Sequence, residues 1–210
     1  MHILKMPNPK LFLYKARDAP IVAILRRGSV KTDWELIRWN TETDEFTEGQ
    51  WLTKAVMNGA YCSISPDGLY FAYHYSSLRE ENRWKSYAVV SEIPYFTASL
   101  ITKNHAGMWD AIAFRNDGLL MHTRAKDGFI MKRECPIVIS SVYDSSLIYN
   151  GFCNEGGFTD VRGRIVSIVG GAIYADGVLL YDTVDHVFQH VVCPKEELPV
   201  SSTIRPSAPM

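Results

Sequence analysis

The amino-acid sequence predicts an all-β protein, most simply a four-bladed β-propeller or a propeller-like stack of antiparallel sheets. Three observations predict it: a strand–turn–strand pattern around Ser65-Pro66-Asp67-Gly68, the recurrence of that pattern, and the lack of a long amphipathic helical pattern. In this turn Pro66 presets φ for a corner, Asp67 can bond its own backbone, and Gly68 accepts a positive φ. We therefore expect one strand to enter the turn and another to run back from it.

The turn recurs at a nearly constant spacing. The intervals between Ala19, Gly68, Gly118 and Gly163 are 49, 50 and 45 residues. Periods of about 40–50 residues with four strands each are typical of propeller blades, which stack because each leaves an apolar face uncovered. The predicted single domain, residues 1–193, has blades over residues 11–57, 58–104, 105–150 and 151–193, followed by a Pro- and Ser-rich tail, 194–210, that is peripheral or disordered. An antiparallel sandwich or barrel is the alternative, since its strands also recur at similar lengths.

The first unit contains four predicted strands. Apolar runs predict two strands around a turn at Arg17-Asp18-Ala19-Pro20, and alternation of polar and apolar residues predicts a half-buried third strand. A polar hairpin turn over residues 40–45 then leads to the fourth. These strands cover residues 11–16, 21–25, 33–39 and 46–52.

The later units repeat this arrangement with turns of the same kind. Arg115-Asn116-Asp117-Gly118 and Arg162-Gly163 are the equivalent turns, and Gly170-Gly171 is a hairpin turn between two further strands. The predicted strands cover residues 60–64, 69–75 and 84–90 in the second unit, 108–114, 119–123 and 129–133 in the third, and 157–160, 164–169, 172–175, 178–182 and 188–192 in the fourth.

Composition excludes several function classes. The chain of 210 residues is 47% hydrophobic and 12% aromatic, which is typical of a globular protein, and its net charge of −1 predicts no nucleic-acid partner. No apolar run approaches the length of a membrane helix, and the N-terminus has no signal-peptide core, so we expect no membrane partner and a cytoplasmic location. The four cysteines are widely spaced and include no Cys-x-x-Cys pair, so we expect no metal site, no disulfide framework and no cofactor.

Acidic and histidine side chains near the turns are the candidates for chemistry. Asp18, Asp67, Asp117 and Asp160 lie at or beside the repeated turns, where a propeller glycosidase would need its acid and base. The interpretation that we prefer is structural, because a turn aspartate bonds its own backbone. His74 and His122 each follow a turn, and His186 and His190 stand four apart, but the apolar residues around the latter pair favour a strand over a helical metal site.

Surface recognition is the remaining class. Tryptophan and arginine often anchor protein interfaces, so the predicted binding residues lie near predicted loops: Arg26, Arg27, Trp34, Trp109 and Asp110. We expect Trp34 and Trp109 to be the more exposed tryptophans. The other three, Trp39, Trp51 and Trp84, are expected to fill the spaces between blades.

The sequence also resembles a family of uncharacterised bacterial proteins with propeller-like repeats. The resemblance covers about residues 20–192, and its most specific parts are Gly49-Gln50-Trp51 and Ser65-Pro66-Asp67-Gly68. Asn58-Gly59-Ala60-Tyr61 departs from that pattern, where charged residues are usual. The Pro-Asp-Gly turn is similar to that of WD-repeat propellers, although the Trp-Asp ending is missing from each blade. The resemblance implies a fold and no activity.

These observations predict a non-enzymatic protein-binding module of a bacterial cytoplasm, such as an immunity or inhibitor protein that caps a toxin or another protein partner. The alternative is a hydrolase or lyase with a carboxylate or histidine site at the mouth of the propeller. The alternative requires at least two of six residues to lie within ~10 Å of one another with a pocket between them: Asp18, Asp67, Asp117, Asp160, His74 and His122.

Overall fold

The computed structural model confirms that the protein is all-β. It describes residues 9–82, 85–102, 111–123, 128–140, 144, 146, 152–153, 157–194 and 202–204. In these ranges the strands form four antiparallel sheets, and the helical segments are two 3-10 turns, η1 (Gly59–Tyr61) and η2 (Glu80–Asn82). No described helix is long and apolar enough to cross a membrane.

Sheet 1 is built mainly from the first predicted unit. Four strands pair in chain order, and a two-residue strand from much later in the chain joins the edge of the first. Both faces of the inner strands are buried. In the strand over Ile21–Arg27, for example, every residue but the last is buried, so buried and exposed residues do not alternate. The strands are β1 (Lys10–Lys15), β2 (Ile21–Arg27), β3 (Trp34–Asn40), β4 (Glu45–Leu52) and β13 (Phe152–Cys153).

Sheet 2 contains the turn from which the sequence predicts the repeats. Ser65-Pro66-Asp67-Gly68 joins two paired strands, and Gly68 has φ +75°, as predicted. The sheet has the order β18-β12-β9-β8-β7-β5, with β6 paired to β7. Its strands are β5 (Ala55–Met57), β6 (Ser63–Ile64), β7 (Tyr70–Ser77), β8 (Ser86–Glu92), β9 (Ala98–Thr102), β12 (Phe129–Met131) and β18 (Ser202–Ile204).

The other two sheets are smaller. Sheet 3 is a hairpin of β10 (Ile112–Phe114) and β11 (Leu120–His122), and sheet 4 pairs β14 (Phe158–Thr159), β15 (Ile165–Val169), β16 (Ala172–Ala175) and β17 (Val178–Asp182) in chain order. The predicted hairpin at Gly170-Gly171 is confirmed, with both glycines at positive φ. The predicted closing strand over residues 188–192 is wrong, because residues 183–194 follow β17 without regular structure.

Three apolar clusters stack the sheets in the order 4, 1, 2, 3. Odd and even residues of the strands of sheet 1 belong to different clusters, because successive side chains of a strand point to opposite faces. Thus Leu13 and Trp39 pack with Val166 of sheet 4, whereas Tyr14 packs with Phe71 of sheet 2. The third cluster joins the far face of sheet 2 to sheet 3 through residues that include Tyr70, Val90, Phe114, Leu120 and Phe129.

The loops of the stack define two ends. The turns at residues 16–20, 41–44, 65–68, 115–118 and 160–164 lie at one end, which we call the turn end; contacts between them include Asp18 N to Pro66 O, 2.8 Å, and Arg164 to Asp44. The antiparallel strands place the loop at residues 28–33 and the segment after β17 at the other end, which we call the opposite end.

Two parts of the chain depart from equal four-stranded units. The described part of the third unit supplies the hairpin of sheet 3, while its next strand, β12, extends sheet 2 by pairing with β9. In addition, residues 202–204 of the predicted tail form β18, the edge strand beside β12. Residues 202–204 thus lie at the edge of sheet 2, and residues 195–201 and 205–210 of the predicted tail lie outside the described residues.

Candidate functional sites

A cavity of about 230 Å³ opens where three turns of the turn end meet. Its lining includes a carboxylate from each turn, namely Asp18 between β1 and β2, Asp67 between β6 and β7, and Asp117 between β10 and β11. One guanidinium, that of Arg17, and the ring of Tyr70 also line it. The repeated turns are therefore close in space, although they are about 50 residues apart along the chain.

Two of these carboxylates are held by their own turns. Asp67 Oδ1 accepts hydrogen bonds from Ser65 Oγ at 2.5 Å and from Leu69 N at 3.0 Å. Asp117 accepts from Leu119 N at 3.3 Å and pairs with Arg115 at 2.8 Å. These bonds are the structural role expected for turn aspartates.

Asp18 and Tyr70, two other polar residues of the cavity, each have one protonation state at neutral pH. Hydrogen bonds from Arg17 lower the pKa of Asp18, so this carboxylate is ionised. Burial raises the pKa of the Tyr70 hydroxyl to about 12, and the charge of Asp67 acts in the same direction, so Tyr70 stays neutral. The cavity thus presents the ionised carboxylate of Asp18 and the neutral phenol of Tyr70.

The fourth turn forms an ion network with sheet 1. Arg164 binds Asp44 through both terminal nitrogens, at 2.8 and 2.6 Å, and its Nε donates to Asp160 at 2.8 Å. Arg162 pairs with the same carboxylate of Asp44 at 2.6 Å. Together with Lys15 of β1, whose Nζ donates to Thr159 O of β14 at 2.9 Å, this network connects sheets 1 and 4 at the turn end.

A second charged cluster lies between sheets 1 and 4 at the opposite end. Arg26 at the end of β2 faces Glu35 of β3 across the strand pair, with Nη1 3.6 Å from Oε2, and their side chains are only 4% and 1% exposed. The guanidinium also donates to two carbonyl oxygens of the segment after β17, Thr183 O at 3.0 Å and His186 O at 3.2 Å. The ring of Trp51 covers it, 5.2 Å from Cζ to the ring centroid.

His186 connects the buried pair to a more exposed carboxylate. Its Nδ1 lies 3.1 Å from Glu35 Oε2, and its Nε2 lies 3.5 Å from Glu48 Oε1 of β4. Tyr181 of β17 donates to the same Glu48 oxygen at 3.1 Å. The hydrogen bond to Glu35 is the main cause that raises the pKa of His186, while burial and Arg26 act against it. The imidazolium is thus stabilised between two carboxylates.

This arrangement is an ion network and does not suit a metal ion. Glu35, Glu48 and His186 do place one potential ligand atom each within 4.8 Å of one another. However, the two carboxylates face different imidazole nitrogens, and a guanidinium already lies against Glu35. Two cations and two anions alternate here, so the charges are balanced without a metal.

The predicted binding residues fall into three groups. Arg26 is buried in the charged cluster, 3% exposed. The expected exposure of Trp34 is wrong: the side chain is 1% exposed and donates to Ala55 O at 3.0 Å, with the half-buried Arg27 over its ring. Trp109 and Asp110 lie outside the described residues.

The other tryptophans and the two histidines that follow turns differ in their burial. Trp39 is fully buried between sheets 1 and 4, whereas Trp51 is half-buried, and Trp84 lies outside the described residues. His122 is buried against the edge of Phe129, and His74 lies within β7.

Sequence reasoning missed the cluster around His186. Its members come from β2, β3, β4, β17 and the following segment, so no local motif unites them. One signal was available: a hairpin over the loop at residues 28–33 places Arg26 opposite Glu35.

Sheet 4 presents apolar side chains to solvent near the turn end. Ile165 and Val178, which begin β15 and β17, are 68% and 65% exposed, and Val161 in the adjoining turn is 51% exposed. Exposed apolar groups that gather at one place are typical of interaction surfaces.

Comparisons with protein-family models, with curated proteins and with solved structures find no match to this chain.

Proposed function

We propose that the chain is a propeller-like stack of four sheets that acts as a non-enzymatic protein-binding module. The packing order 4, 1, 2, 3 supports the architecture, because a ring of four blades brings the last unit against the first. The apolar cluster of sheets 1 and 4, with Trp39 stacked 5.2 Å from Phe46 and Phe46 4.1 Å from Tyr181, supplies that contact.

The cavity of the turn end is the proposed binding site. The observation that carries the proposal is the convergence of three turns, each with a carboxylate, around one cavity of about 230 Å³. Of the three carboxylates in its described lining, Asp18 pairs with Arg17 and Asp117 pairs with Arg115, so the carboxylate of Asp67 has no cationic partner among the described residues and suits a basic side chain of a partner protein. The exposed Val161, Ile165 and Val178 lie at the same end and supply apolar area for the rest of an interface.

Binding explains the chemistry of the cavity better than catalysis does. A glycoside hydrolase needs one carboxylic acid that keeps its proton, and enzymes obtain it by raising a pKa. Here Arg17 lowers the pKa of Asp18. The carboxylates of Asp67 and Asp117 are engaged by the main chain of their own turns.

A hydrolase or lyase that uses the same carboxylates is the second candidate. Its supporting observation is that Asp18, Asp67 and Asp117 line a common cavity, which is the grouping that such an enzyme requires. A thermal-shift screen of small substrates, carried out on the wild type and on the double variant D67N/D117N, separates the two candidates.

The test is a pull-down from the native host lysate with the full chain as bait. The variant D67N/D117N removes two charges from the cavity and keeps an acceptor oxygen at each turn, and E80Q/E81Q at the opposite end removes two charges as a matched control. We expect one stoichiometric partner, captured by the wild type and the control and reduced at least about tenfold for D67N/D117N.

Equal capture by all three baits contradicts the proposed site. An empty pull-down together with a stabilising small molecule that D67N/D117N no longer binds contradicts the protein-binding function and favours the enzyme. If the captured partner is a toxin that the chain inhibits, the function is that of an immunity protein.

A further inference from the structure

We propose that the charged cluster at the opposite end is a pH-sensitive fastener that holds the segment over residues 184–192 on sheet 1 and releases it when His186 loses its proton. This device is distinct from the proposed binding site, since it lies at the other end of the stack.

The segment over residues 184–192 has few other attachments. Two of its main-chain N–H groups donate a hydrogen bond, that of His186 to Thr183 O at 3.3 Å and that of Val184 to Asp182 Oδ1 at 2.9 Å. Three of its apolar side chains are largely exposed, with Val187 and Val192 each 69% and Phe188 58% exposed. Little apolar burial therefore stabilises its position, and local opening costs less here than in the core.

The two residues that flank the segment are held firmly. Thr183 is fully buried, its Oγ1 donates to Gly171 O at 2.7 Å, and its own carbonyl accepts from Arg26. Cys193 is buried next to Arg133, with the thiol sulfur 2.5 Å from Nη1. The segment can thus detach as a loop between two fixed points while the sheets stay folded.

The attachment in between depends on His186. The side chain joins Glu35 of β3 and Glu48 of β4, and its carbonyl oxygen accepts from Arg26 of β2. Among the described residues, Tyr181 of β17 also faces the cluster: its hydroxyl donates to Glu48, and its ring lies 5.4 Å from that of His186. Phe188 adds an edge contact with Trp51, 5.9 Å between ring centroids.

The direction of the pH dependence follows from these charges. With His186 protonated, two cations balance two carboxylates. Without the proton, the guanidinium of Arg26, which contacts Glu35, is the one cation left for both carboxylates, and one imidazole nitrogen has no proton to donate. Docking raises the pKa of His186, so the fastening is complete below the ordinary histidine value near 6.5 and is lost as the pH rises through the higher value of the docked state.

Hydrogen–deuterium exchange of the full chain at pH 6 and pH 9 tests the fastener. The readout is the hydrogen-bonded amide of residue 186, resolved in overlapping peptides that cover residues 184–192 and expressed as protection relative to the unfolded rate at each pH. We expect protection to fall at pH 9, by about tenfold for each unit by which docking raises the pKa. Peptides from β2 and β8 serve as internal controls and keep their protection.

Two variants and one matched control complete the design. H186Q should lower protection at pH 6 and abolish its pH dependence, and E48Q, whose parent side chain is 41% exposed, should shift the loss to lower pH. H190N changes an exposed histidine of the same segment and should behave as the wild type.

Three results overturn the proposal: protection that is independent of pH in the wild type, a pH dependence that survives in H186Q, or one that is lost in H190N. Hydrogen–deuterium exchange with added Zn²⁺ tests for a fourth result that would overturn it. Protection at pH 9 that Zn²⁺ restores in the wild type and not in H186Q assigns the cluster to a metal instead.

Discussion

At the turn end, Asp67 and Asp117 bind the main chain of their own turns, whereas at the opposite end Arg26 and Glu35 form a buried pair that a histidine 151 residues away completes. The first kind of polar site forms as soon as the turn forms. The second exists only when sheets 1 and 4 have packed together. Locally satisfied carboxylates can stay at the surface and remain available to a partner, while a buried cluster must be complete, because an unpaired charge in the interior is costly.

The largest effect is expected from Glu35→Gln. This substitution removes the carboxylate charge that faces the buried Arg26, and breaking such a pair from one side costs about 3 kcal/mol or more. Urea denaturation at pH 7 measures the loss in the free energy of unfolding. Glu48→Gln is the control, because its exposed side chain should cost less than about 1 kcal/mol. Equal losses in the two variants would contradict the distinction between buried and exposed members of the cluster.

A smaller effect is expected from Arg164→Ala at the turn end. The substitution removes the bidentate partner of Asp44 and leaves Asp160, whose side chain is 0% exposed, with main-chain donors only. We expect a loss of about 1–3 kcal/mol in the free energy of unfolding. Arg162→Ala, where the side chain is 46% exposed, should cost less than about 1 kcal/mol. A larger loss for Arg162 than for Arg164 would show that burial does not decide the strength of this network.

The two ends are also expected to lose stability at opposite extremes of pH. The hydrogen bond from Arg164 is the main cause that lowers the pKa of Asp44 below its ordinary 3.8. Burial alone would raise the pKa of Asp160, but the bonds from Arg164 and Arg162 lower it on balance. A carboxyl group with a lowered pKa contributes stability above its ordinary value, and that contribution is lost as the pH falls through the folded value. Acid therefore weakens the turn end, whereas alkali weakens the cluster around His186.

Urea midpoints of the wild type and Asp44→Asn at pH 7 and pH 3 measure the acid dependence. The difference between the two proteins should be smaller at pH 3, which lies below the ordinary value of 3.8, because the unfolded wild type then binds a proton at Asp44 more readily than the folded protein does. Glu42→Gln, an exposed change in the same turn, is the control and should show a difference near zero at both values. An unchanged gap for Asp44→Asn at pH 3 would argue against the ion network as a source of acid sensitivity.

The smallest effect is expected from Asp67→Asn. Asparagine keeps an oxygen that can accept from Ser65 Oγ and Leu69 N, so the free energy of unfolding should change by no more than about 0.5 kcal/mol. Asp67→Ala removes the acceptor and should cost about 1 kcal/mol. The comparison decides whether the carboxylate charge of Asp67 is needed for folding or is available for binding, and a large loss for asparagine would contradict the second interpretation.

Much of the fold could be predicted because its signals are local. The turn at Ser65–Gly68 depends on side chains that bond within a few residues, and the hairpin at Gly170-Gly171 depends on two positive φ angles. The predicted strand over residues 188–192 is wrong because a local signal was the whole basis for it. Its apolar residues match a strand, but residues 188–192 pair with no strand in the described part of the chain, and Phe188 instead makes an edge contact with Trp51 of sheet 1.

The sequence by itself determined the all-β class, the repeated turns and most strand positions, since these follow from periodicity and from contacts between near neighbours. The tertiary structure alone decided which turns share a cavity and that β12 and β18 extend sheet 2. It also decided that Arg26 is buried, whereas its neighbour Arg27 is only half-buried. Each of these outcomes depends on how sheets pack, and packing joins residues more than 100 positions apart, as it does for His186 and Glu35. The sequence pattern contains the residues of the fastener, but only the contact of sheet 4 with sheet 1 makes them a site.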